Sequence, residues 1–380
     1  MTRRRGNNEG SLYRRKDGLW CAQISLGGRR LTKYAKTQKE CREWIKETIS
    51  KIDGGLTFEA TQLTLERFFE LWLNGKELSR RPGTVDNYRK ITNSYILPKM
   101  GQMRLQEIQP THIKQLYLVL KKEGKGARSV QAVHVVLHCA LKQAVREGLL
   151  GRNPLDAVDR PRVEQTEFQV LTEEQARQLL AGASESLFET VFHLAVITGM
   201  RKGELLGLKW SDLDPTKGTI FIQRQLQYLK PDGYILVPPK TKAGRRQLKL
   251  GQSMLAQLEK HRIHQELLKA TAADKWQEND LIFTSSIGTY MDQSKVSKEF
   301  KRLLKKAGLP NLRFHDLRHT SLSLLLEMGT PVNTVQRRAG HSKASVTVDV
   351  YGHAMASSQN QAADRMDEMM TPTPIAVKLQ

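Results

Sequence analysis

The period of hydrophobic and polar positions changes twice along this chain. Between residues 11 and 37, SLYRRK, LWCAQISL and RRLTKYAKT alternate β-branched or aromatic residues with polar ones between DG and GG turn signals, which predicts three antiparallel strands. Thr37 followed by Glu40 has capping-box spacing and opens an amphipathic helix through about Ile52, whose apolar positions would cover one face of that sheet. From residue 65 the period is helical. Patterns at Leu65 to Leu73, Thr84 to Leu97, Thr111 to Leu120 and Ser129 to Leu149, separated by RRPG, PKMG and KKEGKGARS, predict a bundle with short loops. A second capping box, Thr172 with Gln175, opens a third region with an apolar helix from Leu187 to Ile197. GTIFIQRQ, YILVPP and RRQLKL then suggest one small sheet, helices resume near Ser253, Ser294 and His315, and SQNQAADRMDEMM predicts a last helix.

GGLTFEATQ, residues 54 to 62, and the proline- and charge-rich RNPLDAVDRPRVEQTEF, residues 152 to 168, read as linkers. The expected architecture is therefore a multidomain α+β chain. Residues 1–54 form a small three-stranded sheet plus a helix, 63–152 an all-α helical bundle, and 168–380 a mostly α domain with a small antiparallel sheet and a C-terminal tail. A length of 380 residues suits two or three such cores.

Charge changes the picture most. The chain carries 61 Lys plus Arg against 39 Asp plus Glu, a formal net charge of +22, which biases it toward a polyanion. Residues 1–54 alone hold 14 basic and 6 acidic side chains, so the sheet face not covered by the helix is a candidate DNA surface, with Arg14, Arg15, Arg29 and Arg30 on or beside its strands. No run of 18 apolar residues and no apolar signal core after MTRRRGNNEG appear, so a cytoplasmic protein away from membranes is expected. Cys21, Cys41 and Cys139 make neither a CxxC nor a disulfide framework.

The stretch RFHDLRHTSLSLLLEMG sets two histidines and an arginine before a leucine-rich helix, and three readings compete for it. His315 and His319 lie one helical turn apart and could share a metal, but Asp316 stands where the zinc-protease pattern needs a glutamate base, and Arg318 would set a cation beside the dication. Alternatively the cluster is structural, with Leu322, Leu325 and Leu326 filling a core. In the third reading His315 and Arg318 address a phosphate, arginine through parallel donors and histidine through a proton exchangeable near neutral pH. Asp212 and Asp214 have no further acids placed for two-metal chemistry, and there is no G-x-x-x-x-G-K-[ST] loop.

TGMRKGELLGLKWSDLD, PPKTKAGRR, HDLRHT, RRAGHS and VDVYGHA follow one another across residues 198 to 354. In that order, with a tyrosine ten residues after AGH, they resemble the tyrosine recombinase, or phage integrase, family. The resemblance spans the third region; the first two match the family's arm-binding and core-binding domains by layout. It implies that Arg201 and Arg318 clamp the scissile phosphate, that Lys240, with Lys242 as near alternative, protonates the leaving 5′ oxygen, and that His315 takes the tyrosine proton or bonds the phosphate. His341 would donate a further hydrogen bond, Tyr351 would be the nucleophile, and Glu204 would orient the site. Arg245 and Arg246 are expected on backbone phosphates. Ala339 departs from the family's more frequent LGH.

The resemblance implies a site-specific recombinase that cleaves and rejoins DNA through a 3′-phosphotyrosyl intermediate and a four-way junction, integrating and excising a mobile element or prophage without metal, ATP or other cofactor. Its expected partners are double-stranded DNA at core-type and arm-type sites, three further copies of itself, DNA-bending accessory proteins and an excision factor. A type IB topoisomerase-like activity and a DNA-binding regulator without catalysis are the alternatives.

Overall fold

A computed structural model describes residues 10–26, 29–53, 62–164, 169–184, 186–230, 232–340, 342, 366–367 and 369–370. It divides into two compact units, 1–165 and 166–380. The expected linker at 54–62 falls almost wholly outside the described residues, and so does the last expected helix, of which Met366–Asp367 and Met369–Met370 are helical.

In the first unit, β1 (Ser11–Arg14), β2 (Trp20–Leu26) and β3 (Arg29–Ala35) form an antiparallel sheet in that order. Strand alternation sends Leu12, Trp20, Ala22 and Ala35 against Cys41, Trp44 and Ile45 of α1 (Gln38–Asp53). Thr37 Oγ1 accepts from the Glu40 N–H at 3.3 Å, the expected cap. Across the opposite face Tyr13, Cys21 and Tyr34 stand in register.

The helices of this unit are α2 (Leu65–Glu77), α3 (Pro82–Ile91), α4 (Leu97–Met100), α5 (Pro110–Lys122) and α6 (Ala127–Arg146). Helix α2 buries Leu65, Phe68, Phe69, Trp72 and Leu73, the i, i+3, i+4, i+7 face that its sequence predicts. The single helix expected over 84–97 is instead α3 and α4 joined by a π-helical turn, Thr92–Ile96. Pro98 lies in that segment, has no N–H for the carbonyl of residue 94, and its ring crowds that carbonyl; a widened turn relieves both.

The second unit is built on α7 (Glu173–Gly182), α8 (Glu189–Thr198), α9 (Lys202–Leu206), α10 (Gln252–Ala272), α11 (Gln293–Lys306), α12 (Asp316–Glu327) and α13 (Val332–Ala339). The one small sheet expected here is two: β4 (Leu213–Asp214), β5 (Thr219–Ile222) and β8 (Arg246–Lys249) in the order β4-β5-β8, and a separate hairpin of β6 (Gln225–Leu229) with β7 (Gly233–Val237). GTIFIQRQ breaks because Gln223 and Arg224 leave the strand to bind the buried Asp212 carboxylate, at 2.7 and 2.5 Å. Asp212 is thus a structural anchor.

Two glycines set how α9 lies on β6. A Cβ at Gly203 would come 2.7 Å from the Leu226 carbonyl oxygen, and one at Gly207 would come 2.9 Å from the Leu226 nitrogen. Helix α12 is buried nearly all round: Leu317 and Leu322 are fully covered, and Thr320 Oγ1 accepts from the Leu171 N–H at 3.1 Å while donating to the Asp316 carbonyl. Helix α13, too short for its apolar period to show in the sequence, packs Val335 and Ala339 on Leu322 and Leu326. No helix among the described residues is long and apolar enough to cross a membrane.

Alanine normally stabilises a helix interior relative to glycine by about 1 kcal/mol. At Gly203 the contact with backbone reverses the sign, so Gly203→Ala is expected to destabilise by roughly 1–3 kcal/mol, read from urea unfolding. A second expectation concerns His319, which is buried. Burial first and His315 second push its pKa down to about 4. The unfolded chain therefore binds a proton here below about pH 6.5 while the folded chain does not, so stability is full above that pH and falls toward pH 4 by roughly 2–3 kcal/mol. Urea unfolding between pH 7.5 and 5 should show that slope, and His319→Gln should flatten it.

Candidate active site

Arg201 occupies the N-cap of α9, where the first helical N–H groups lack intrahelical partners. Its own backbone N–H donates to Glu204 Oε2 at 3.1 Å and its Nη1 to Glu204 Oε1 at 2.7 Å. Glu204 has a side chain only 1% exposed, whereas Arg201 keeps 37% of its own open. From the start of β8, Arg246 Nη2 donates to Glu204 Oε2 at 2.9 Å. Burial by itself would raise the Glu204 pKa, but Arg246 and Arg201 outweigh it and hold the carboxyl below its ordinary value. Glu204 is thus an ionised bracket between two guanidinium groups, and one of them faces outward.

Arg318 projects from the first turns of α12. Its Nη1 donates to the Gly199 carbonyl at 2.7 Å and its Nη2 to the Ala339 carbonyl at 2.5 Å. Gly199 ends α8 in the left-handed region, φ 63°, two residues before Arg201; Ala339 ends α13, two residues before His341. One buried guanidinium therefore fastens three separated motif segments. His315 forms the N-cap of α12 with an exposed edge, its ring 5.3 Å from that of His319 in an edge-to-face arrangement. Desolvation on its packed side, then Arg318 and Arg201, lower the His315 pKa, which leaves the imidazole neutral at pH 7 and able to accept a proton. Asp316 does not act as the base of a zinc-protease pattern. Arg313 engages both of its oxygens, through Nη2 to Oδ1 at 2.7 Å and through Nε and the backbone N–H to Oδ2 at 3.1 and 2.7 Å.

Lys240 and Lys242 are both exposed on the segment between β7 and β8. That segment closes tightly, since a Cβ at Gly244 would come 2.6 Å from Pro239 Cβ. Arg245 is exposed beside them. Arg246 corrects the expectation of a phosphate contact: its side chain is 6% exposed, and every guanidinium nitrogen is bonded within the protein. The signal was present in the strand alternation, because Arg246 shares its face with buried Leu248 and Leu250 while Gln247 and Lys249 are exposed. Arg338, outside the expected site residues, donates from Nη2 to the Ile197 carbonyl at 3.2 Å. In the N-terminal sheet Arg30 is exposed, Arg15 lies 4.8 Å from the Tyr34 ring centroid, and Arg14 is exposed with Nε donating to the Gly18 carbonyl. The Arg29 side chain, His341 and Tyr351 lie outside what the structure describes.

The structure thus gathers Arg201, His315 and Arg318 from two helix starts, with Glu204 aiming the first. The open Arg201 guanidinium beside a neutral imidazole suits one phosphodiester, whose transition state gains negative charge. Arg318, by contrast, is 3% exposed and spends a donor from each Nη on a backbone carbonyl, so among the described residues it fastens the site. Residues 169–357 match the phage integrase family, and residues 64–119 match the phage integrase N-terminal SAM-like domain. The chain is 29% identical over 356 residues to a tyrosine recombinase XerC-like protein of Caldanaerobacter subterraneus subsp. tengcongensis, covering 88% of this chain and 91% of that one. It is 26% identical over 378 residues to the ICEBs1 integrase of Bacillus subtilis strain 168, covering 95% and 100% respectively. Among solved structures, the Tn1549 transposon integrase in complex with a circular intermediate DNA superposes with a TM-score of 0.67 at 20% identity, over 80% of this chain and 99% of that one. The chain belongs to the phage integrase family of tyrosine recombinases.

Proposed function

We propose that this chain is the integrase of a mobile element or prophage, which breaks and rejoins DNA at specific sites through Tyr351. The observation that carries the reading is the convergence of Arg201, His315 and Arg318, whose segments are fastened by the Arg318 bonds to Gly199 and Ala339. In this mechanism Arg201 binds one nonbridging oxygen of the scissile phosphate through its open side, and Arg318, buried beneath it, reaches the other through an Nη N–H not spent on the Gly199 and Ala339 carbonyls once DNA is seated. The Tyr351 oxygen attacks phosphorus, its proton passing to His315, and the bond to the leaving 5′ oxygen breaks as Lys240 supplies that oxygen with a proton. His341 donates a further hydrogen bond to the phosphate. One phosphodiester is exchanged for one phosphotyrosyl ester, so bond energy is conserved and no ATP is consumed. Religation to the partner duplex reverses the step.

Exchange between two duplexes requires four strand cleavages, so four protomers with one nucleophile each would assemble around a four-way junction. We assign residues 63–152 and 168–380 to the core-type site and residues 1–54 to arm-type DNA. The open sheet face with Tyr13, Tyr34, Arg15 and Arg30 suits the arm role, since basic and aromatic groups there are not consumed by the α1 packing. DNA-bending proteins and an excision factor would act at those arms. The enzyme would work in the cytoplasm of a bacterial host, bound to its nucleoid.

Covalent trapping tests the chemistry. Nicked duplex fragments spanning the ends of the element that encodes the chain, incubated in EDTA, should give a denaturation-resistant adduct with wild type and none with Tyr351→Phe, while filter binding stays within about twofold. Adduct lost to EDTA would point back to metal chemistry, binding without adduct would favour a regulator, and relaxation of plasmids lacking any site would favour a topoisomerase. The general acid is tested separately. Lys240→Ala should slow cleavage by roughly 10²- to 10⁴-fold, the range of acid catalysis, and a sulfur leaving group in place of the 5′ oxygen should restore most of that loss. The same rescue for Lys242→Ala would reassign the role.

A further inference from the structure

We propose that Arg246 is a positioning residue for strand cleavage, one that never touches DNA but holds the segments bearing Arg201, the two candidate lysines and the approach to His341 in register. The inference rests on the recombinase reading above. Three guanidinium nitrogens go to three segments. Nη2 donates to Glu204 Oε2 at 2.9 Å, on the helix that Arg201 caps. Nη1 donates to the Gly244 carbonyl at 3.2 Å, in the turn that Lys242 opens two residues after Lys240. Nε donates to the Arg338 carbonyl at 2.6 Å, in the last turn of α13, just before Gly340 and His341.

Each bond meets a group that needs it. The Glu204 carboxylate is buried and, among the described residues, would otherwise have Arg201 as its sole cation. The Arg338 carbonyl belongs to the last turn of a helix, where acceptors lack intrahelical donors and a cation is favoured. Arg318 serves the next carbonyl, that of Ala339, so two guanidinium groups together hold the end of α13. Packing around Arg246 leaves no slack: Gly340 has φ 67°, and a Cβ there would come 2.8 Å from the Ala243 carbonyl oxygen and 3.0 Å from Arg246 Nη1. A planar fork sets its donors on three separate nitrogens in fixed directions, whereas the three donors of lysine share one nitrogen and cannot span partners so far apart.

A direct phosphate contact and a positioning role predict different measurements. With Arg246→Met, the single-turnover rate of adduct formation on nicked duplex should fall about 10- to 100-fold, the scale on which a displaced reacting group costs rate. DNA affinity should stay within about twofold, and the slope of log K against log salt should be unchanged. Loss of a phosphate contact would instead reduce that slope by about 0.9. Glu204, buried with one cation fewer, should titrate higher, so cleavage by Arg246→Met should acquire an acid limb displaced upward from wild type; Glu204→Gln on that background should abolish the limb. Arg246→Lys retains the charge and guards against misfolding of the methionine variant, with an expected loss of about tenfold and the same unchanged salt slope. Wild-type cleavage by Arg246→Met, or a salt slope reduced in either variant, would overturn the inference alone. A wild-type chain that forms no adduct would overturn the recombinase reading and this inference with it.

Discussion

A buried carboxylate governs the catalytic unit. Removing the Glu204 charge from water would cost several kcal/mol if it stood alone, so the fold is obliged to supply donors to both of its oxygens. They come from Arg201, through backbone and side chain, and from Arg246. Because Arg246 also grips the end of α13, the requirement is passed on to a helix distant in sequence. The geometry of the first candidate phosphate clamp is therefore a by-product of satisfying one acid.

Around that bracket the unit is stiff for ordinary reasons. Backbone contact at Gly203 and Gly207 sets α9 on β6, and Thr320 locks α12 to the start of α7. Helix α12 has its leucines in the core and its first turn at the site, so His315 and Arg318 inherit the rigidity of the packing beneath them. Desolvation here also does chemical work, since it lowers the His315 pKa and keeps a proton acceptor neutral between arginines. Polyanion attraction is a separate, diffuse contribution from the +22 net charge, which would favour a polyanion such as DNA without selecting any one phosphate.

Much of this was legible in the chain. The alternation in 11–37, the capping boxes at Thr37 and Thr172, and the apolar faces of 65–73 and 129–149 are local patterns, and the corresponding strands and helices formed. Illegible were the division of the small sheet, which turns on Gln223 and Arg224 reaching back to Asp212, and α13, whose eight residues carry too short a period to stand out. The π turn before Pro98 was half legible: the proline marked a boundary, but only neighbouring helices could hold the distorted segment in place.

Arg245 and Arg246 show where the sequence stops. By itself it determined the sign of the charge, the order of the motifs, and which residue types could clamp a phosphate or attack it. Period, capping and motif content act over a few residues and can be read without a fold. Only the tertiary structure decided that of two adjacent arginines one is exposed and the other buried, because burial depends on Glu204, 42 residues earlier, and on the Arg338 carbonyl, 92 residues later. A cation's role is set by the partners that desolvate it, and those partners meet only when the chain is folded.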